Sequence, residues 1–285
     1  MKKITLVFLL LSSYIFSNIN AIVSILPQQT FLKAIGGDKV NIALMVKQGN
    51  SPHTYEPKPS QMVAVAKADI YFAIDVEFEH VWLPKFQSLN ENMYIVDIAE
   101  GVEKMHMAQA HHAHEKHGEH THQGEDPHIW TAPSNVKIIA KNIYEALAKY
   151  DSENAPYYKK NLDTFLASVK DTDTQIREIL SILDASRTFM VFHPSWGYFA
   201  KTYDLTQIAV EVEGKSPKPR EIVHLIKEAR EEKVNAIFTQ PEFSDSSAKI
   251  IANELHIPVV KVSPMAGNWS ENLINMASTI AGQHE

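Results

Sequence analysis

The 285-residue chain contains no cysteine. That absence excludes disulfides, thiolate metal sites and the lipid-bearing cysteine of a bacterial lipoprotein. Long apolar runs are also missing: beyond the first 21 residues nothing approaches the roughly 20 apolar residues that a membrane-spanning helix needs. The opening itself, with Lys2 and Lys3, the stretch I-T-L-V-F-L-L-L and small or polar residues at N-I-N-A, has the makeup of a secretory signal peptide over residues 1–21. It is too short to span a bilayer comfortably, so cleavage is expected after Ala21 and the mature chain is expected free in a periplasm, without direct membrane insertion. Positive charge is scarce as well. Lys and Arg number 27 against 34 acids, and the net charge of −7 becomes −9 once Lys2 and Lys3 leave. A modestly acidic surface argues against nucleic acid or anionic lipid as a partner.

What is present is a repeated β–α alternation. Hydrophobic residues make up 45% of the chain, ample for packed cores. Short apolar runs at 22–26, 41–46, 70–74 and 93–96 alternate with helix-period segments, one of which starts near Ser60 and another near Ser134. A second set of strands follows at 188–192, 207–211, 236–239 and 258–262. Between the two sets, Tyr158, Leu162, Phe165, Val169, Thr172, Ile176, Leu180 and Leu183 recur at steps of three or four, from about Asn154 to Leu183. A helix of that length spans roughly 45 Å. The pattern predicts an α/β protein of two βα lobes joined by one long rigid helix, with a cleft between them. Its expected divisions are an amino-terminal lobe over 22–150, a linking helix over 151–184 and a carboxyl-terminal lobe over 185–285.

Seven of the 14 histidines crowd one polar stretch: His106, His111, His112, His114, His117, His120 and His122. Imidazole is the commonest ligand for borderline metals, and such a tract cannot form a core, so the first hypothesis is metal handling. The stretch can be read as a capturing segment that passes metal on, a low-affinity occupancy sensor or a spacer, and its adjacency to His128 favours capture. Three further histidines stand in loops that packing does not explain. His53 lies in G-N-S-P-H-T-Y-E-P, His128 in D-P-H-I-W, and His193 in F-H-P-S-W-G-Y-F at the carboxyl end of a strand, where open α/β sheets bind ligands. His80, His224, His256 and His284 have ordinary contexts and are given no metal role.

These segments, together with E-G-K-S-P-K-P and I-F-T-Q-P-E-F, resemble in kind and order the signature segments of the metal-specific periplasmic solute-binding proteins of ABC importers. The His-rich insertion before D-P-H-I-W is most similar to the family's zinc-binding, ZnuA-type members. The resemblance covers the mature chain. It implies two α/β lobes, a metal site in the interlobe cleft formed by His53, His128 and His193, and delivery to the membrane permease of an ABC zinc importer. Three imidazoles and no thiolate favour Zn2+ as the transported ligand over manganese or iron. Where many relatives carry an aspartate late in the chain, Ser263 stands here, so Glu242, water or a group from the His-rich tract is expected in the fourth position. Asp126 and Glu56 are expected to orient ligand imidazoles, and Tyr55, Trp130, Trp196 and Phe243 to exclude water. No catalytic residue is expected. A secreted zinc hydrolase is the rival from another class, and the chain has no H-E-x-x-H helix to support it. A monomer is expected.

Overall fold

The computed structural model describes residues 18–107, 124–183, 187–211, 215–234 and 236–283. Two four-stranded sheets, each wholly parallel, form the framework. In the first, β1 (Ile19–Val23), β2 (Val40–Leu44), β3 (Ile70–Ala73) and β4 (Tyr94–Asp97) take the order β2-β1-β3-β4. In the second, β5 (Thr188–Val191), β6 (Thr206–Ala209), β7 (Ile237–Thr239) and β8 (Val259–Lys261) repeat it as β6-β5-β7-β8. Parallel strands covered by helices read as continuous apolar runs, and all four residues of both β3 and β5 are buried. All eight expected strands form, with their ends shifted by at most three residues.

The first strand reaches back into the stretch expected as signal peptide: Ile19 and Ala21 are buried in β1 and pair with Val40 and Ile42. Residues 1–17 of the expected signal peptide lie outside the described residues.

Helices α1 (Leu26–Gly36), α2 (Pro59–Val65), α3 (Glu77–Leu89) and α4 (Pro133–Tyr150) belong with the first sheet. Ser60 is not the cap of α2, because Pro59 already occupies its first turn. Proline lacks the N–H that a first turn leaves unbonded, and Pro27, Pro133 and Pro156 open helices in the same way. The long helix is α5 (Ala155–Leu180), 26 residues and about 39 Å. Its buried stripe is Tyr158, Leu162, Phe165, Val169, Thr172, Ile176 and Leu180, the residues picked out by periodicity except Leu183. The second sheet carries α6 (Gly197–Thr202), α7 (Pro219–Glu231), α8 (Ser246–Leu255) and α9 (Trp269–Ile280).

The helix α5 packs against α1, α4 and α9. Through α9 the chain returns to the first lobe, where Trp269 meets Phe31 of α1 edge-on with ring centroids 5.5 Å apart. One continuous apolar core runs from the first sheet through α5 to Phe189, Trp196 and Phe238 of the second. Backbone acceptors lock the seam. Trp130 Nε1 donates to Pro264 O and Trp269 Nε1 to Trp130 O, each at 2.7 Å, and Thr30 Oγ1 donates to Gly267 O at 2.8 Å.

A buried polar network sits where the first sheet's strand order reverses. Glu79 accepts the N–H groups of Ile74 and Asp75 and the hydroxyl of Ser24, which also bonds Tyr71 Oη at 2.8 Å. The network fixes the turn from β3 into α3. Burial raises the Glu79 carboxyl from its ordinary value of 4.5 to about 7. Between those values the folded chain keeps a proton that the unfolded chain has lost, so stability falls as pH rises through this window, by up to about 3 kcal/mol. Glu79→Gln keeps a partner for each of these groups and removes the titration. The variant should match the wild type in Tm at pH 4.5 and exceed it at pH 8; equal melting at pH 8 would show that the carboxyl ionises without cost.

Candidate metal centre

Every histidine singled out in the loops comes from the carboxyl-end side of a sheet. His53 lies in the connection from β2 to α2, and His193 follows β5 by two residues. His128 enters a 3-10 turn over Ile129–Thr131 that leads into α4. The three rings converge, with centroids 5.2 Å apart for His53 and His193, 5.5 Å for His128 and His193, and 6.2 Å for His53 and His128. One ring nitrogen from each lies within 4.8 Å of the others. Among the described residues this is the one group of His, Cys, Asp and Glu so placed.

Each imidazole is held from behind by a carboxylate. His128 Nδ1 donates to Asp126 Oδ1 at 2.7 Å, His193 Nδ1 to Glu211 Oε1 at 2.9 Å, and His53 Nδ1 to Glu77 Oε2. An ionised carboxylate can only accept, so Nδ1 carries the hydrogen and Nε2 keeps a free lone pair. His193 Nε2 is buried with no hydrogen-bond partner among the described residues. Such an orphaned polar atom is costly unless something occupies the position before it.

Electrostatics match this arrangement. Burial pushes His128 below the ordinary imidazole value, outweighing the upward pull of Asp126, so its ring is neutral at neutral pH. The hydrogen bond from His53 holds Glu77 below the ordinary carboxylate range, against the opposing effect of burial. Burial raises Glu242, whose Oε1 accepts Ser263 Oγ at 3.4 Å and which lies within the field of His193.

Of the supports expected from sequence, Asp126 serves and Glu56 does not. Glu77 holds His53 instead, from the first residue of α3, where an acid also suits the helix dipole. Glu211 was likewise unanticipated. Both stand just past strand ends, β3 for Glu77 and β6 for Glu211, so the topological argument that marked the histidines applies to them too. Among the aromatics, Trp130 packs on His128 and Phe243 on His193, at 5.5 and 5.0 Å between centroids. Tyr55 and Trp196 instead meet Phe78 and Phe199. His106 of the His-rich stretch pairs with Glu125 in an isolated antiparallel bridge, while His111, His112, His114, His117, His120 and His122 lie outside the described residues.

Comparison with known proteins fits this geometry. The family profile described as "Zinc-uptake complex component A periplasmic" matches residues 22–282. A crystal structure of a zinc-bound 138–173 deletion mutant of ZnuA is similar at TM-score 0.84 and 40% identity, over 93% of this chain and 97% of that one. A metal ABC transporter substrate-binding lipoprotein of Lactococcus lactis is 27% identical over 90% of this chain and 87% of its own length. The manganese ABC transporter substrate-binding lipoprotein PsaA of Streptococcus anginosus is 28% identical over 80% and 74%.

If the carboxylates orient the imidazoles, Glu211→Gln should weaken metal binding about 10- to 100-fold, the usual effect of removing such a support. Glu56→Gln should leave it unchanged. Calorimetric titration of the two variants with Zn2+ checks the difference; equal affinities would remove Glu211 from the site.

Proposed function

The chain belongs to the periplasmic zinc-uptake component A family, and on that premise we propose that it captures Zn2+ at His53, His128 and His193 and hands it to the membrane permease of an ABC zinc importer. At the coarser level it is an extracytoplasmic, metal-binding solute-binding protein of an ABC importer and not an enzyme. The observation that carries the zinc reading is the donor set: three imidazoles with their Nδ1 atoms on carboxylates and no thiolate. Nitrogen ligands suit zinc, whereas harder manganese takes more carboxylate oxygens. PsaA, a manganese protein by name, makes manganese the competing ion to test.

Tetrahedral zinc at about 2.0 to 2.1 Å from each nitrogen sets the nitrogens about 3.3 Å apart. From a spread of at most 4.8 Å, the rings draw together by no more than about 1.5 Å. Binding is then a small shift of an existing equilibrium, restrained by α5 and the tryptophan seam, with ligands from both sides of the cleft pinned by one ion. The fourth position falls to water or to Glu242, whose raised carboxyl favours either a proton or a cation beside it. The histidines at 106–122 supply weaker sites that gather zinc near His128.

Competition of metal-free protein against a chromogenic chelator tests the proposal. One tight zinc site that manganese cannot displace is expected, and tight manganese binding would overturn the assignment. Acidification from pH 7.5 to 5.5 should weaken zinc binding steeply, since imidazolium has no lone pair to offer; a flat profile would exclude these histidines as ligands. Deleting residues 108–122 should remove the weak sites and spare the tight one, and loss of the tight site would place a primary ligand in the deleted stretch.

A further inference from the structure

One segment of the second lobe reaches the first lobe's metal ligand from behind. After His193 the chain runs Pro194, Ser195, Trp196, Gly197, Tyr198, and this short stretch is firmly set. Ser195 N donates to His193 O at 2.8 Å, Gln240 Nε2 donates to His193 O and Ser195 Oγ at 2.8 and 2.9 Å, and Trp196 N donates to Gln207 Oε1 at 2.8 Å. The segment cannot shift His193 without also shifting Tyr198.

The Tyr198 hydroxyl stands where the chain leaves and re-enters the first lobe around the His-rich stretch. It accepts the Met105 N–H and donates to the Asp126 carbonyl, both at 3.0 Å. Asp126 N in turn donates to Met105 O at 2.7 Å, and the adjacent pair His106 and Glu125 forms the β-bridge. Burial raises the phenol to about 12, so it keeps the proton it donates.

Asp126 is also the support of His128. Its Oδ1 accepts both the His128 backbone N–H at 2.9 Å and Nδ1 at 2.7 Å. Its Oδ2 is buried without a hydrogen-bond partner among the described residues and packs directly over Gly197, where an added methyl carbon would come to 2.8 Å. Backbone and carboxylate of Asp126 are thus both set by residues 197 and 198. Neither residue is among the ligands.

We propose that Tyr198 is a positioning residue: carried on the segment that bears His193, its hydroxyl holds Asp126 and through it His128, so the ligands from the two lobes engage and release together. The proposal deepens the metal-binding reading and rests on it. Removing the hydroxyl leaves the buried Asp126 carbonyl and the half-buried Met105 N–H unpaired, and Asp126 relaxes away from the ring it orients.

Stopped-flow removal of Zn2+ from loaded full-length mature protein by excess chelator at pH 7.5 tests this. Tyr198→Phe should speed release on the order of tenfold. Its effect should be less than multiplicative both with Asp126→Asn, which acts on the same ligand, and with Glu211→Gln, which loosens the His193 that Tyr198 couples to it. Cobalt-loaded Tyr198→Phe should show altered ligand-field absorption, a signature that a general loosening of the fold would not produce. Gly197→Ala, which crowds Asp126 Oδ2 and spares every hydrogen bond, should speed release in the same direction and decides the matter if the phenylalanine variant does not fold. Release within twofold of wild type for both variants, or full multiplicativity with Asp126→Asn, would overturn the proposal. Wild-type protein that holds no zinc tightly would instead overturn the function proposed above.

Discussion

The hydrogen bond from each imidazole Nδ1 to a carboxylate is the interaction on which the rest of the site depends. It fixes which nitrogen faces the cleft, which way the ring points and how basic the free lone pair is. Asp126, Glu211 and Glu77 provide these bonds from three separate connections. Their placement brings two buried carboxyl groups, Asp126 and Glu211, and the exposed Glu77 to the carboxyl ends of two parallel sheets. A divalent cation among the rings would supply the opposing charge, and the unpartnered His193 Nε2 marks where it would be received.

The sheets and α5 exist, in functional terms, to hold those pairs at a short separation. Two lobes sharing one apolar core and a tryptophan seam do not swing freely. Trp130 belongs to both devices at once, packing on His128 while its Nε1 bonds Pro264 across the seam. The His128 ring and the lobe junction are therefore parts of one packed unit. Such a unit resists a wide hinge motion, because close-packed interiors deform little. The return of α9 across α5 strengthens the same restraint.

Much of this was readable along the chain. Eight strands announced themselves as short apolar runs, and the buried stripe of α5 followed its helical period almost residue for residue. The loop positions of His53, His128 and His193 were visible because Gly, Pro and Asn around them ruled out ordinary core packing. Less visible was the start of β1: N-I-N-A reads as small and polar, yet Ile19 and Ala21 turn inward once Val40 and Ile42 lie beside them. Glu56 was a reasonable neighbour of His53 in sequence, and Glu77, 24 residues away, took the role.

By itself the sequence determined the α/β class, the doubled strand pattern, the long helix and the loop setting of the three histidines, because each is written in local periodicity or residue chemistry. Only the tertiary structure decided which acid backs which imidazole, that α9 returns to the first lobe, and that Tyr198 stands behind His128. Those facts depend on contacts between residues as far apart as Met105 and Tyr198 or Trp130 and Trp269. Hydrogen bonds and packing act over a few ångströms of space whatever the separation along the chain, so no periodicity records them.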